Sequence, residues 1–115
     1  PKNPVNEWLV ANHYKQYKAP PDFFTAGGMS AGIALVEALK KTGGDTTTNK
    51  LIAAMEGLSF ETAKGTMTFR KEDHQALQSM YHFRIKADPA FAWGVPELVQ
   101  EIKPEQMKVP IRNNR

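Results

Sequence analysis

Few residues in this chain are of a type and spacing that could carry out chemistry. His13, His74 and His82 are the only imidazoles, and there is no cysteine. Without cysteine there is no thiolate nucleophile, no disulfide framework and no Cys-ligated zinc or iron–sulfur site. A histidine metal site needs ligands converging at i, i+4 on a helix or flanking a turn. Only Glu72-Asp73-His74 comes near that, and its turn-like surroundings read as a solvated charge cluster. His82 lies on the charged face of a predicted strand, which is a surface position. Gly27-Gly28-Met29-Ser30-Ala31-Gly32 sets a serine among glycines but lacks the strand-to-helix elbow of a hydrolase nucleophile. No strand and downstream ribose-binding acid frame it as a dinucleotide fingerprint either. Paired carboxylates for acid–base work are not identifiable. The sequence therefore argues against an enzyme, and it nominates no catalytic residue, no metal ligand and no cofactor.

One junction does look functional: Pro20-Pro21-Asp22-Phe23-Phe24-Thr25-Ala26-Gly27-Gly28. It sets two adjacent aromatics, Phe23 and Phe24, just before a strongly apolar helix expected from Ala26 to Leu39. An apolar ring would then stand beside free backbone N–H groups and the positive end of a helix dipole. That pairing suits a small ligand with a carboxylate and an apolar body. The competing reading makes Phe23 and Phe24 core residues that close the start of the helix, a hydrophobic staple.

The elements that must position this junction come from a chain of 115 residues, enough for one small domain. Its 41% apolar and 23% charged residues match an ordinary globular composition. No run approaches the roughly 20 apolar residues of a transmembrane helix. The net charge of +3 is confined to the end of the chain, at Lys103, Lys108, Arg112 and Arg115 against Glu105. That basic tail has no aromatic and is interrupted by Pro and Asn, so it is not a nucleic-acid face. Pro1 follows no initiator Met and opens no signal peptide, so it reads as the start of a processed chain or a cut end. Val109 to Arg115 reads as a polar, frayed tail.

Asn3-Pro4 announces a first helix to about Tyr17, with Asn as cap and Pro at the first helical position. In the second helix Met29, Gly32, Ile33, Val36 and Leu39 follow the spacing of a helix face, widened by Leu35. Ala31, Ala34 and Ala38 line its other side, and Glu37 is its single charge, so it should be covered on more than one side. Lys40-Lys41 and Gly43-Gly44 end it. A third helix is predicted from Thr46–Thr48 to Met55 or Glu56, stopped by Gly57. Gly65 to Arg70 and Ser79 to Lys86 alternate polar and apolar as strands do. In the second of these, Tyr81, Phe83 and Ile85 share a face. Asp88-Pro89 breaks that strand, and the remainder is an irregular tail with a short helix expected at Pro96–Ile102 and Trp93 as an anchor. This inventory cannot cover the second helix, which implies parallel-sheet partners from elsewhere.

The order of these segments resembles a family. Asn3-Pro4-Val5-Asn6-Glu7-Trp8-Leu9-Val10, Tyr14-Lys15-Gln16-Tyr17 and Pro20-Pro21-Asp22 are similar to a helix, Y-x-x-x-Y/F and P-P-D passage. It belongs to the type I periplasmic solute-binding proteins, in the branched-chain amino acid group of ABC-transporter receptors. Gly28 to Leu39, Leu51-Ile52-Ala53-Ala54-Met55-Glu56-Gly57-Leu58, Gly65-Thr66-Met67-Thr68-Phe69 and Tyr81-His82-Phe83-Arg84-Ile85 resemble its following helices, turn and last strand. The resemblance spans residues 3–87. It implies the C-terminal part of a two-lobed α/β receptor in the periplasm, closing on a small solute like a hinge. It also implies partnership with an ABC permease and with an upstream part of the same receptor that supplies the sheets. Residues 1–70 would complete one lobe, 71–87 would cross over and return as a strand to the other lobe, and 88–115 would form a C-terminal tail. The family's ligand-contacting aromatic before the long helix falls on Phe24, with Phe23 beside it. The expected function is delivery of an amino acid or similar organic acid to the permease. A ligand sensor or regulator on the same fold, or an unrelated small interaction module, are the other readings.

Overall fold

The computed structural model describes residues 1–113, and Arg115, counted above with the basic tail, lies outside them. Helix α1 runs Pro4–Tyr17, α2 Phe23–Lys41 and α3 Thr48–Met55. Strands follow as β1 Ser59–Thr62, β2 Gly65–Phe69, β3 Ala76–Gln78, β4 Met80–Lys86 and β5 Val95–Ile102, then a short helix α4 Pro104–Met107. The contacts divide the chain into two units, Pro1–Gln78 with the stretch beginning at Ile111, and Ser79–Pro110.

The first unit is a helical layer on a small antiparallel sheet of order β1-β2-β3. α1 starts as its sequence dictates: the Asn3 side chain accepts the Asn6 N–H at 2.8 Å, and Pro4 occupies the first turn, where no N–H is needed. It buries Leu9 and leaves Trp8, Tyr14 and Tyr17 exposed. β1 alternates exposed and buried residues, turning Phe60 and Thr62 inward, and Phe60 lies directly opposite Met67 of β2. Phe60, Met67 and Ala34 of α2 form the core, with Ile33, Met55, Leu58, Phe69 and Ala76 packed around them. Gly57 adopts φ 71° so that its N–H can reach the Phe69 carbonyl at 2.9 Å, a backbone shape that favours glycine.

Within this chain α2 buries one of its two apolar sides. Ser30, Ala34 and Ala38 are covered, whereas Leu35 and Val36 are each 49% exposed. Ala34 packs on Phe60 and Met67, and the side with the larger residues stays open, in keeping with the expectation of further partners for this helix.

The second unit is a two-stranded ribbon. β4 pairs antiparallel with β5 from Met80↔Ile102 to Lys86↔Val95, with an irregularity between His82 and Phe83. The helix expected at Pro96–Ile102 is therefore strand, and the segment from 88 onward is not an irregular tail. The two strands expected from alternation belong to different sheets, β2 between β1 and β3, and β4 beside β5. The partner of His82 is Gln100 and that of Phe83 is Leu98, so Val99 is the extra residue of a bulge. Two successive apolar residues, Leu98 and Val99, thereby fit a strand that does not alternate.

Candidate functional site

The Pro20–Gly28 junction is organised by Asp22. Its extended backbone makes it the N-cap of α2, so Phe23 and Phe24 are the first two residues of the helix rather than residues ahead of it. The Asp22 carboxylate accepts the Thr25 N–H at 2.7 Å and the Thr25 hydroxyl at 2.8 Å. These bonds, with help from the Phe24 N–H, hold the Asp22 carboxyl below its ordinary value. The expectation of free N–H donors waiting for a ligand carboxylate here is thus corrected. The chain's own carboxylate already occupies the positive end of α2 and would repel another anion.

Phe23 is 66% exposed and Phe24 82% exposed, so neither ring closes the core as a staple would. The two rings meet edge to face at 84°, their centroids 5.7 Å apart. The Lys64 ammonium lies 5.3 Å from the centroid of Phe23, within cation–π range. Partial burial lowers the pKa of Lys64. Lys64 stands 40 positions from Phe24, in the turn between β1 and β2. The turn signal at Gly65 marked that hairpin, but no sequence pattern marks the approach of the hairpin to the aromatic pair.

The charge cluster in the following turn resolves into local pairs. The Arg70 guanidinium grips Asp73 with two bonds, Nε to Oδ1 at 2.7 Å and Nη2 to Oδ2 at 2.6 Å, holding the Asp73 carboxyl down. His74 reaches Glu56 at 3.1 Å. Among the described residues, no group of three His, Asp or Glu side chains is placed to hold a metal ion. His13 bonds the Ala19 carbonyl at 2.9 Å and meets the Tyr17 ring at a tilt of 45°, which fixes the exit of α1. His82 is exposed on β4. His13 is close enough to Asp22 to favour its charged form, while His74 pairs with Glu56.

Residues 1–90 match the sequence model of the periplasmic binding protein family. The chain belongs to that family. Among solved structures, an ABC-type branched-chain amino acid transporter from Rhodopseudomonas palustris CGA009 is 63% identical, with TM-score 0.92 over 100% of this chain. An ABC transporter from Rhodopseudomonas palustris is 68% identical over 81% of this chain, with TM-score 0.66. A solute-binding protein of an ABC transporter from Rhodopseudomonas palustris BisB5, in complex with 3,4-dihydroxybenzoic acid, is 26% identical over 89% of this chain, with TM-score 0.78. No curated protein matches the chain. The chain spans 31%, 28% and 28% of the lengths of these three structures. Its helices and small sheets are thus one part of a periplasmic-binding-protein fold. No helix among the described residues is long and apolar enough to cross a membrane.

Proposed function

We propose that this chain is the C-terminal part of an extracytoplasmic solute receptor that delivers a small carboxylate-bearing ligand to an ABC permease. The observation that carries the reading is its likeness, along its whole length, to a branched-chain amino acid transporter structure. The ligand in this reading is an amino acid or a similar organic acid, acquired in the periplasm. Residues 1–70 complete one lobe, 71–87 cross and return to the other, and 88–115 follow it; the lobes close on the solute as a hinge.

Phe24 is the residue of this chain that meets the ligand. An exposed ring at the start of a helix offers an apolar face and edge to a branched aliphatic chain or an aromatic ring alike. The carboxylate of the solute is held by other groups of the receptor, because Asp22 occupies the N-terminus of α2. Phe23, with Lys64 on its ring, stands beside the contact rather than in it.

Calorimetric titration of the full-length receptor with L-leucine, L-phenylalanine and benzoate tests this. Saturable binding of at least one is expected, and Phe24→Ala should weaken it by about 1–3 kcal/mol, as loss of a large aromatic contact does. Phe23→Ala should cost less. Heat from none of the three would overturn the reading. A larger loss from Phe23→Ala would exchange the roles of the two rings.

A further inference from the structure

Phe23 and Phe24 are both exposed, so their own packing does little to select one ring orientation, yet an unoriented ring makes a poor wall for a small ligand. The hairpin between β1 and β2 supplies what is missing. Its base is rigid: Thr62 and Ala63 are 0% and 1% exposed. The Thr62 hydroxyl donates to the Gly65 carbonyl at 2.7 Å and accepts the Lys64 N–H at 3.1 Å. Gly65 turns the chain at φ 101°, and the Asn3 side chain of the α1 cap reaches the Ala63 carbonyl at 3.4 Å. The backbone of Lys64 is therefore clamped, and its ammonium projects to the ring of Phe23.

We infer that Lys64 is a positioning residue for solute binding: its ammonium fixes the Phe23 ring, and the edge-to-face contact passes that orientation to Phe24. The inference rests on the proposed role of Phe24 as the ligand contact. Lys64 need not touch the solute. Its effect on affinity is the cost of ordering two rings at the moment of binding, which the preset stack removes. An exposed cation–π contact of this kind corresponds to about a two- to fivefold change in affinity. Arginine can replace the ammonium on the ring, whereas methionine keeps the length of the side chain and loses the charge.

The test uses the full-length receptor carrying Lys64→Met, Lys64→Arg, Phe24→Ala, or Lys64→Met with Phe24→Ala. Ring signals of Phe23 and Phe24 are followed by NMR without ligand, and affinity is titrated with L-leucine, L-phenylalanine and benzoate. Lys64→Met should shift and average the Phe23 ring signals and weaken binding two- to fivefold. Lys64→Arg should restore both. In the Phe24→Ala background Lys64→Met should have no further effect, a non-additivity that general loss of stability would not produce. Unmoved ring signals in Lys64→Met overturn the inference whatever ligand is bound. Affinity lost in Phe24→Ala but kept in Lys64→Met overturns the inference alone. Affinity kept in Phe24→Ala overturns the ligand contact and the inference together.

Discussion

The two units of this chain are held together in different ways. In the first, Phe60 and Met67 face each other across β1 and β2 and meet Ala34 of α2, so a helix and a sheet share one core. In the second, no residue from 79 to 110 is buried, and Phe83, Ile85, Leu98 and Val99 are each half exposed or more. The ribbon relies on its ladder and on cross-strand pairs, Lys86 to Glu97 at 2.7 Å and the Ser79 hydroxyl to Glu101 at 2.6 Å. An isolated two-stranded hairpin is marginal in water, whereas three strands packed on a helix are not. Taken as this part of the fold alone, which spans 31% of the length of the structure it matches throughout, the ribbon is thus the less firm unit, and the aromatic pair of the candidate site sits on the firmer one.

The largest expected effect separates the units directly. Phe60→Ala in the full-length receptor should cost about 3–5 kcal/mol, the range for emptying a buried aromatic position. Phe83→Ala removes a ring that is 50% exposed and should cost about 1 kcal/mol. Denaturant unfolding of the two variants checks the contrast, and equal losses would break it. Next comes Gly94, where an added Cβ would lie 2.5 Å from Cγ2 of Ile85. Ile85 is β-branched and yields little at that carbon. Gly94→Ala should therefore cost about 1–3 kcal/mol as overpacking does. Hydrogen exchange should quicken across β4 and β5 while β1 and β2 keep their protection. Adding Ile85→Ala should relieve the clash. Faster exchange in β1 instead would mean that the units are not independent.

What was legible in the sequence follows the same division. The helices of the first unit were readable because their signals are local: Asn3-Pro4 at one start, Lys40-Lys41 and Gly43-Gly44 at one end, and 3.6-residue spacing between. The two-sided apolar character of α2 was readable as well: Ala34 and Ala38 are buried within this chain, whereas Leu35 and Val36 are left open by it. β4 was readable from alternation, and β5 was not, because Pro96 and the bulge at Val99 break the two-residue period. The pair Phe23–Phe24 stood out by its position at the start of the long apolar helix. Its place inside α2 depends on Asp22 as the cap, a signal present in Asp22-Phe23-Phe24-Thr25. Lys64 was out of reach because a ring and an ammonium 41 positions apart meet only after the hairpin folds.

The smallest expected effect lies at the start of α3, within the firmer unit. Thr47, the cap residue of that helix, makes no side-chain cap bond. Asp45 takes over: its carboxylate accepts the Thr47 N–H at 2.9 Å and meets the Lys50 ammonium at 2.5 Å. The Lys50 bond, followed by those from Thr47, lowers the Asp45 pKa from 3.8 to about 2. A carboxyl whose folded pKa lies below its unfolded one stabilises the fold fully above the unfolded value. That stabilisation fades as pH falls from about 4 to about 2, where both states become protonated. Asp45 is solvent-screened, so the contribution is that of a surface pair and weakens with salt. Wild type should therefore unfold at higher denaturant than Asp45→Asn at pH 5. The two midpoints should draw together at pH 2.5, and added salt at pH 5 should narrow the gap as well. A gap that persists unchanged at pH 2.5 would show that the side chain's shape, not its charge, organises the start of α3. The firmness of the first unit would then owe nothing to this ion pair.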